Sequence, residues 1–361
     1  MPDKTDGGRM ARKNMPRRVE LPLALLLDVI CVLTVVPLFA AAVFAMRSAW
    51  QVYHPRRRPK RRSPPEAGLP AERVTVAGAD DVALACWFIP APGSEADGGA
   101  RDFVVLGHGL GRDSGMLLPL AKMLHKAGYH VLTFDMRNHG DSADDGLFRG
   151  QSPRYSVDHH HVVRYVLTRP EFTTGSGGGS RVACLGFSMS AWTSLEAARL
   201  EPEVVRAVIC DSGPTLDIAG TLSRMFGATR GRLPRALRGP LMFRFSRAVF
   251  GRTAVFLLKP APWPVELGDH TIRILFVSGE ADPVARPADI RRQLAWYPRA
   301  ASWLVPRASH MQCHVMAAEE YGERVLGLLA EAFGRDPAGH DPAGHDPAGH
   351  GAARAGRAET R

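Results

Sequence analysis

Six short apolar runs, Phe103–Leu106, His130–Phe134, Arg181–Leu185, Val205–Cys210, Ile272–Val277 and Ala301–Val305, recur through the middle of the chain. Helix-like stretches, among them Met116–Ala127, Ser156–Leu167 and Trp192–Leu200, separate most of them. Short, continuously apolar strands alternating with helices are what a sheet buried on both faces requires. The pattern predicts an α/β fold whose mostly parallel sheet carries helices on both sides. Ahead of it, Arg73–Val76 and Val82–Ile89 read as a hairpin across Gly78-Ala-Asp-Asp81.

A chain of 361 residues, 45% of them hydrophobic, can bury one large core plus extensions. The principal domain is expected over residues 73–334. A helical cap insertion at 214–268 interrupts the alternation between the strand ending at Cys210 and the one starting at Ile272. Three segments have no composition for a core: the basic tail 1–20, the basic, proline-rich linker 47–72, and residues 335–361, which repeat Asp-Pro-Ala-Gly-His three times. Gly175-Ser-Gly-Gly-Gly-Ser180 reads as a surface loop before a strand, because a phosphate-binding loop would follow a strand and open a helix.

Residues 21–46, LPLALLLDVICVLTVVPLFAAAVFAM, contain one charge and are long enough for a tilted bilayer span. A single-pass transmembrane helix in the cell membrane is the leading expectation; a cleaved signal peptide, with Ala40, Ala41 and Ala42 at the cleavage site, and a buried helix are the alternatives. Asp28 lies near the N-terminal end, where a charge costs less, and Pro37 would kink the span without preventing it. Sidedness stays open, since Lys4, Arg9, Arg12, Lys13, Arg17 and Arg18 before the span balance Arg47, Arg56, Arg57, Arg58, Lys60, Arg61 and Arg62 after it. Of the five cysteines, Cys31 lies in the span, and Cys86, Cys184 and Cys210 sit in apolar runs as small buried hydrophobes.

In parallel sheets reactive groups gather at the carboxyl ends of the strands. Here those ends are followed by Gly107-His-Gly-Leu-Gly111, Asp135-Met-Arg-Asn-His-Gly-Asp-Ser142, Gly186-Phe-Ser-Met-Ser190, Ser278-Gly-Glu-Ala-Asp-Pro283 and, after the last strand, Ser309-His310. A nucleophile on a sharp strand-to-helix turn needs small residues two before and two after it. Gly186 and Ser190 meet that need around Ser188, although Ser190 departs from the usual glycine. Ser190 as the nucleophile would put Trp192 at the crowded position, which excludes it.

These motifs, in this order, resemble the α/β-hydrolase superfamily over roughly residues 73–333, nearest to membrane-anchored serine hydrolases of the monoacylglycerol-lipase, acyl-protein-thioesterase and serine-aminopeptidase type. The resemblance implies that Ser188 attacks an acyl carbonyl, His310 takes its proton and Asp282 orients the imidazolium. It also implies an oxyanion hole from the backbone N–H groups of Leu110 and Met189. His108 then shapes its loop, and Arg137, His139 and Gly140 fix a turn. The expected activity is cleavage of an ester or thioester, or an amide, through an acyl-enzyme, with an acyl substrate that can be a lipid and with no cofactor. A catalytically silent binding protein with the same fold is the alternative from another class.

Rivals exist for two of the roles. Glu280 and Asp211 also stand at strand ends and compete with Asp282, and His314 competes with His310 as the base. His159, His160 and His161 are adjacent on a helix and point in three directions, so they cannot converge on a metal ion. The formal net charge of +10 raises nucleic-acid binding as an option, but the basic residues lie in the flanks and cap, without a nucleic-acid-binding motif.

Overall fold

A computed structural model describes residues 22–57, 62–93, 102–172, 179–215, 217–268 and 271–334. The tail 1–20, the repeats 335–361 and most of the Gly175–Ser180 stretch lie outside the described residues.

Eight strands form one sheet: β1 (Glu72–Ala77), β2 (Ala83–Ile89), β3 (Phe103–Gly107), β4 (His130–Phe134), β5 (Val182–Phe187), β6 (Val205–Asp211), β7 (Arg273–Gly279) and β8 (Ala301–Val305), in the order β1-β2-β4-β3-β5-β6-β7-β8. The hairpin β1–β2 and the β2–β4 pair are antiparallel, and every pairing from β4 to β8 is parallel. Successive side chains of the central strands enter two separate cores. Phe103, Val105, Cys184 and Cys210 belong to one, and Val104, Leu106, Leu185 and Ile209 to the other. This double burial is why the strands read as continuous apolar runs.

Helices α2 (Leu118–Lys126) and α9 (Ala318–Phe333) close one face through Leu120, Leu124, Tyr321, Val325 and Leu329. The opposite face is closed by α3 (Gln151–Leu167), α4 (Met189–Leu200) and α7 (Pro287–Trp296), with the short α8 (Cys313–Met316) following β8. Helix α3 begins at Gln151, earlier than the periodicity predicts, because Pro153 falls in its first turn, where a missing N–H costs nothing. Between β6 and β7 the chain forms α5 (Ile218–Ala228), capped by Asp217, whose carboxylate accepts from the Gly220 N–H at 2.7 Å, and α6 (Pro240–Leu258).

The N-terminal apolar helix, α1, spans Leu23–Tyr53 and therefore does not end at Met46. The residues expected to begin a linker at 47 are helical to Tyr53. Every residue from Pro22 to Ala40 is exposed, whereas Ala41, Ala45, Ala49 and Tyr53, spaced one turn apart, are buried against α6. The small side chains let the two helices approach, and the Tyr53 hydroxyl donates to the Ala254 carbonyl at 3.0 Å. One helix thus has a bare apolar half and a half belonging to the core.

Candidate active site

Strand β5 ends at Phe187 and α4 starts at Met189, so Ser188 alone makes the turn, with φ 53° and ψ −106°. Positive φ in a residue with a Cβ is strained, and here it holds the hydroxyl up at the sheet's carboxyl edge. A Cβ at Gly186 would overlap the Ser190 carbonyl, so only glycine lets strand and helix meet there.

Three strand ends converge on this point. The Ser188 hydroxyl lies 3.1 Å from Nε2 of His310, and Nδ1 of His310 lies 2.8 Å from Oδ2 of Asp282. The other oxygen of Asp282 accepts from the N–H groups of Val284 (2.7 Å) and Ala285 (2.9 Å), which locks the carboxylate in the turn after β7. That side chain is fully buried while His310 keeps 17% exposure, so the imidazole edge faces the cleft and the carboxylate lies behind it.

The rival groups stand elsewhere. The side chain of Glu280 accepts from the Arg307 N–H at 3.2 Å on the surface. Asp211, at the end of β6, accepts from the Ser212 hydroxyl at 2.7 Å, and that hydroxyl accepts from the Met311 N–H at 2.8 Å. Asp211 thus reaches the residue after His310 but not the imidazole, and burial pushes its carboxyl up to about 7. His314 packs edge-on against Phe187, 4.9 Å between ring centroids, and burial lowers its basicity.

Leu110 and Met189 line the same cleft as Ser188 and His310. Met189 is the first residue of α4, where an N–H has no partner within the helix. The loop carrying Leu110 is held from beneath by His108, which is fully buried. The Met136 N–H donates to its Nε2 at 2.9 Å, so Nδ1 carries the proton and donates to the Gly109 carbonyl at 2.9 Å. A neutral histidine with both nitrogens engaged is a brace, not a base.

Ser190 is a second brace. Its hydroxyl donates to the His108 carbonyl at 2.6 Å, tying the first turn of α4 to the loop after β3. Sequence reasoning treats Ser190 only as a tolerated substitute for glycine. A serine where the motif expects glycine was the available signal.

The turn after β4 is structural. Arg137, fully buried, donates to both oxygens of Asp158 at 2.6 and 2.7 Å, to Asp145 at 3.2 Å and to the Ala79 carbonyl at 2.8 Å. At Gly140, φ is 50° and a Cβ would overlap the Asp135 carboxylate. His139 donates from Nδ1 to the Arg137 carbonyl at 2.8 Å, and burial pushes its basicity down to about 3. The rings of His159, His160 and His161 turn to three partners: Thr193, Glu201 and the Ala77 carbonyl.

The cleft above Ser188 is walled by Trp192, Trp263, Ile218, Leu222, Met225 and Leu258, from α4, α5, the end of α6 and the segment after it. The wall is mostly apolar, and Ser212, Thr215 and Thr221 also reach it.

The family model described as serine aminopeptidase, S33, matches residues 98–241. Among solved structures, an esterase of Pyrococcus furiosus superposes with a TM-score of 0.59 at 21% identity, over 77% of this chain and 96% of its own. A membrane phospholipase A, described as a bacterial virulence factor, gives 0.54 at 19% identity, over 86% of this chain and 97% of its own. A thermophilic esterase from Thermogutta terrifontis gives 0.50 at 15% identity, over 73% of this chain and 100% of its own. No curated protein sequence matches the chain. Sheet order, strand-end motifs and these likenesses agree: the chain has the α/β-hydrolase fold, and its residues 98–241 resemble the serine aminopeptidase family.

Proposed function

We propose that the protein is a membrane-anchored serine hydrolase that cleaves an ester or thioester of an acyl substrate. The observation that carries this reading is the hydrogen-bonded line from Ser188 through His310 to Asp282 on a strained turn. Ser188 attacks the acyl carbonyl as its proton passes to Nε2 of His310. Asp282 holds the tautomer with Nδ1–H and stabilises the imidazolium that forms. The oxyanion is met by the N–H groups of Met189 and Leu110, each contributing about 3 kcal/mol to the transition state in sites of this type. His310 then protonates the leaving alcohol or thiol, and water attacking by the same route releases the acid from the acyl-enzyme.

The apolar wall favours an acyl chain over a charged side chain, which sets an ester or thioester ahead of an amide. The structural neighbours, esterases and a membrane phospholipase A, agree with that class and bring lipid esters within it. The anchor is the exposed apolar half of α1. Its hydropathy window averages 2.7 and is only 11% buried, unlike a soluble core helix.

A fluorophosphonate probe tests the chemistry: it should label the wild type and leave Ser188→Ala unlabelled. A folded wild type that neither labels nor hydrolyses short acyl esters would instead support the silent binding protein. Retention in carbonate-washed membranes tests the anchor.

A further inference from the structure

Helices α1 and α6 run side by side in the same direction. Tyr53 meets Ala254, beyond which α6 has only four residues left, yet Ala41 lies about 18 Å back along α1. The buried stripe Ala41–Ala49 must therefore lie beside the earlier turns of α6, and Ala41 stands level with its start. From there α1 continues as Leu23–Ala40, wholly exposed and about 27 Å long, close to the roughly 30 Å of a bilayer's hydrocarbon core.

What surrounds the start of α6 has one sign of charge. Arg230, Arg232, Arg235 and Arg238, in the segment joining α5 to α6, and Arg244 and Arg247 on α6, are all exposed. From Ile218 to Val265 the sequence has no acidic residue. Among the described residues none of the six arginines pairs with a carboxylate. The segment is not loose: Leu233 and Leu237 are buried, and Arg230 lies 4.6 Å over the Phe243 ring while donating to the Arg238 carbonyl at 2.6 Å. Beside them Leu241 is 81% exposed.

We propose that this segment, Arg230 to Arg247 with Leu241 at its edge, docks on the headgroups of an anionic bilayer, the one that α1 enters. The inference rests on the anchoring reading above and adds to it. The α1–α6 contact fixes the height at which the arginines stand, level with the point where the apolar helix loses its protein neighbours. Guanidinium groups at that height meet phosphates, and an exposed leucine reaches the acyl boundary. Helix α5 runs from this segment back to the cleft, where Ile218, Leu222 and Met225 line the wall, so docking would hold the cleft at a set distance above the lipid.

The test uses the full chain with Cys31→Ser and a fluorophore at Leu241→Cys, in nanodiscs of phosphatidylcholine with or without phosphatidylglycerol. A headgroup spin-labelled lipid is the quencher. The expected result is quenching several-fold stronger in anionic discs, reversed by high salt and by joint substitution of Arg230, Arg232, Arg235 and Arg244 with Gln. The substituted protein should still label with the fluorophosphonate probe, which shows it folded. Equal quenching in both lipids would overturn headgroup recognition. Absence of quenching in a protein that survives carbonate washing would overturn docking and leave the anchor standing. Release by carbonate would overturn the anchor, and docking with it. Quenching that appears only when an acidic membrane protein is added would assign the surface to that partner instead.

Discussion

The Ser190 hydroxyl donates to the carbonyl oxygen of His108 at 2.6 Å, so the helix that follows Ser188 and the loop that carries Leu110 are bound to each other directly. The two backbone N–H groups proposed to meet the oxyanion come from these two elements. Their separation is governed by this bond together with the His108 brace onto Met136.

Ser190→Ala should therefore lower kcat while leaving KM nearly unchanged. Losing a buried hydrogen bond of about 1 kcal/mol, if transmitted to the oxyanion geometry, corresponds to roughly a fivefold fall in rate. Ser190→Gly, which restores the usual motif residue, should not recover the loss, because glycine lacks the donor. Steady-state kinetics on a short acyl ester decide this. A change in thermal midpoint with kcat untouched would make the bond purely structural.

His310→Ala is expected to lower turnover by several orders of magnitude, since in the proposed mechanism the imidazole both takes and returns the proton. His314→Ala removes a ring packed on Phe187 and should cost stability, about 1–3 kcal/mol, with little effect on kcat at a temperature where the variant is folded. Single-turnover measurements with both variants are the check; the opposite ranking would transfer the base to His314.

Much of this architecture is legible because the central parallel strands are apolar on both faces and several end in a short polar motif. Ser188, Asp282 and His310 follow three such ends and lie in one hydrogen-bonded line. Less legible was the limit of the apolar helix. Hydropathy runs without a break through Met46, and an alanine every fourth residue suits a lipid-facing helix as well as a packed one, so only the partner α6 distinguishes the halves. The role of Ser190 was hidden for a different reason. A hydroxyl's partner depends on a loop eighty residues away in sequence, and no local pattern encodes it.

Asp211 leads to a pH-dependent expectation. Its carboxyl is raised by burial from 3.8 to about 7, so between those values the folded protein holds a proton that the unfolded chain releases. Its contribution is fully present below about pH 4 and is lost as pH rises through about 7. His139 and His159, lowered by burial to about 3, act in the opposite sense and destabilise the fold as pH falls from about 6.5. The bare profile therefore mixes the two, and the difference between wild type and Asp211→Asn isolates the carboxyl. The variant keeps an oxygen for the Ser212 hydroxyl, and it should gain stability relative to wild type between pH 5 and pH 8, by a few kcal/mol at most. Thermal melts at both values test this, and a difference independent of pH would contradict it.

The packing of α1 on α6 sets where the proposed anchor can be removed. Of the described residues, a chain beginning at Ala40 loses only exposed ones, and it should be soluble, with the unfolding midpoint of the parent. A chain beginning at Glu72 also loses Ala41, Ala45, Ala49 and Tyr53 from the core, and with them the bond to Ala254. It loses as well the Arg57 bonds to the Gly140 and Ser142 carbonyls, at 2.8 and 2.5 Å, which brace the turn after β4. Burial of one tyrosine and three alanines is worth on the order of 4 kcal/mol. Urea unfolding of the two truncated chains should therefore separate them clearly, the shorter one also exposing the bare face of α6 and tending to aggregate. Tyr53→Phe in the longer chain should cost about 1 kcal/mol, the share of the hydroxyl alone. Equal midpoints for both truncations would mean that α1 is only an anchor and that its alanine stripe contributes nothing to the fold.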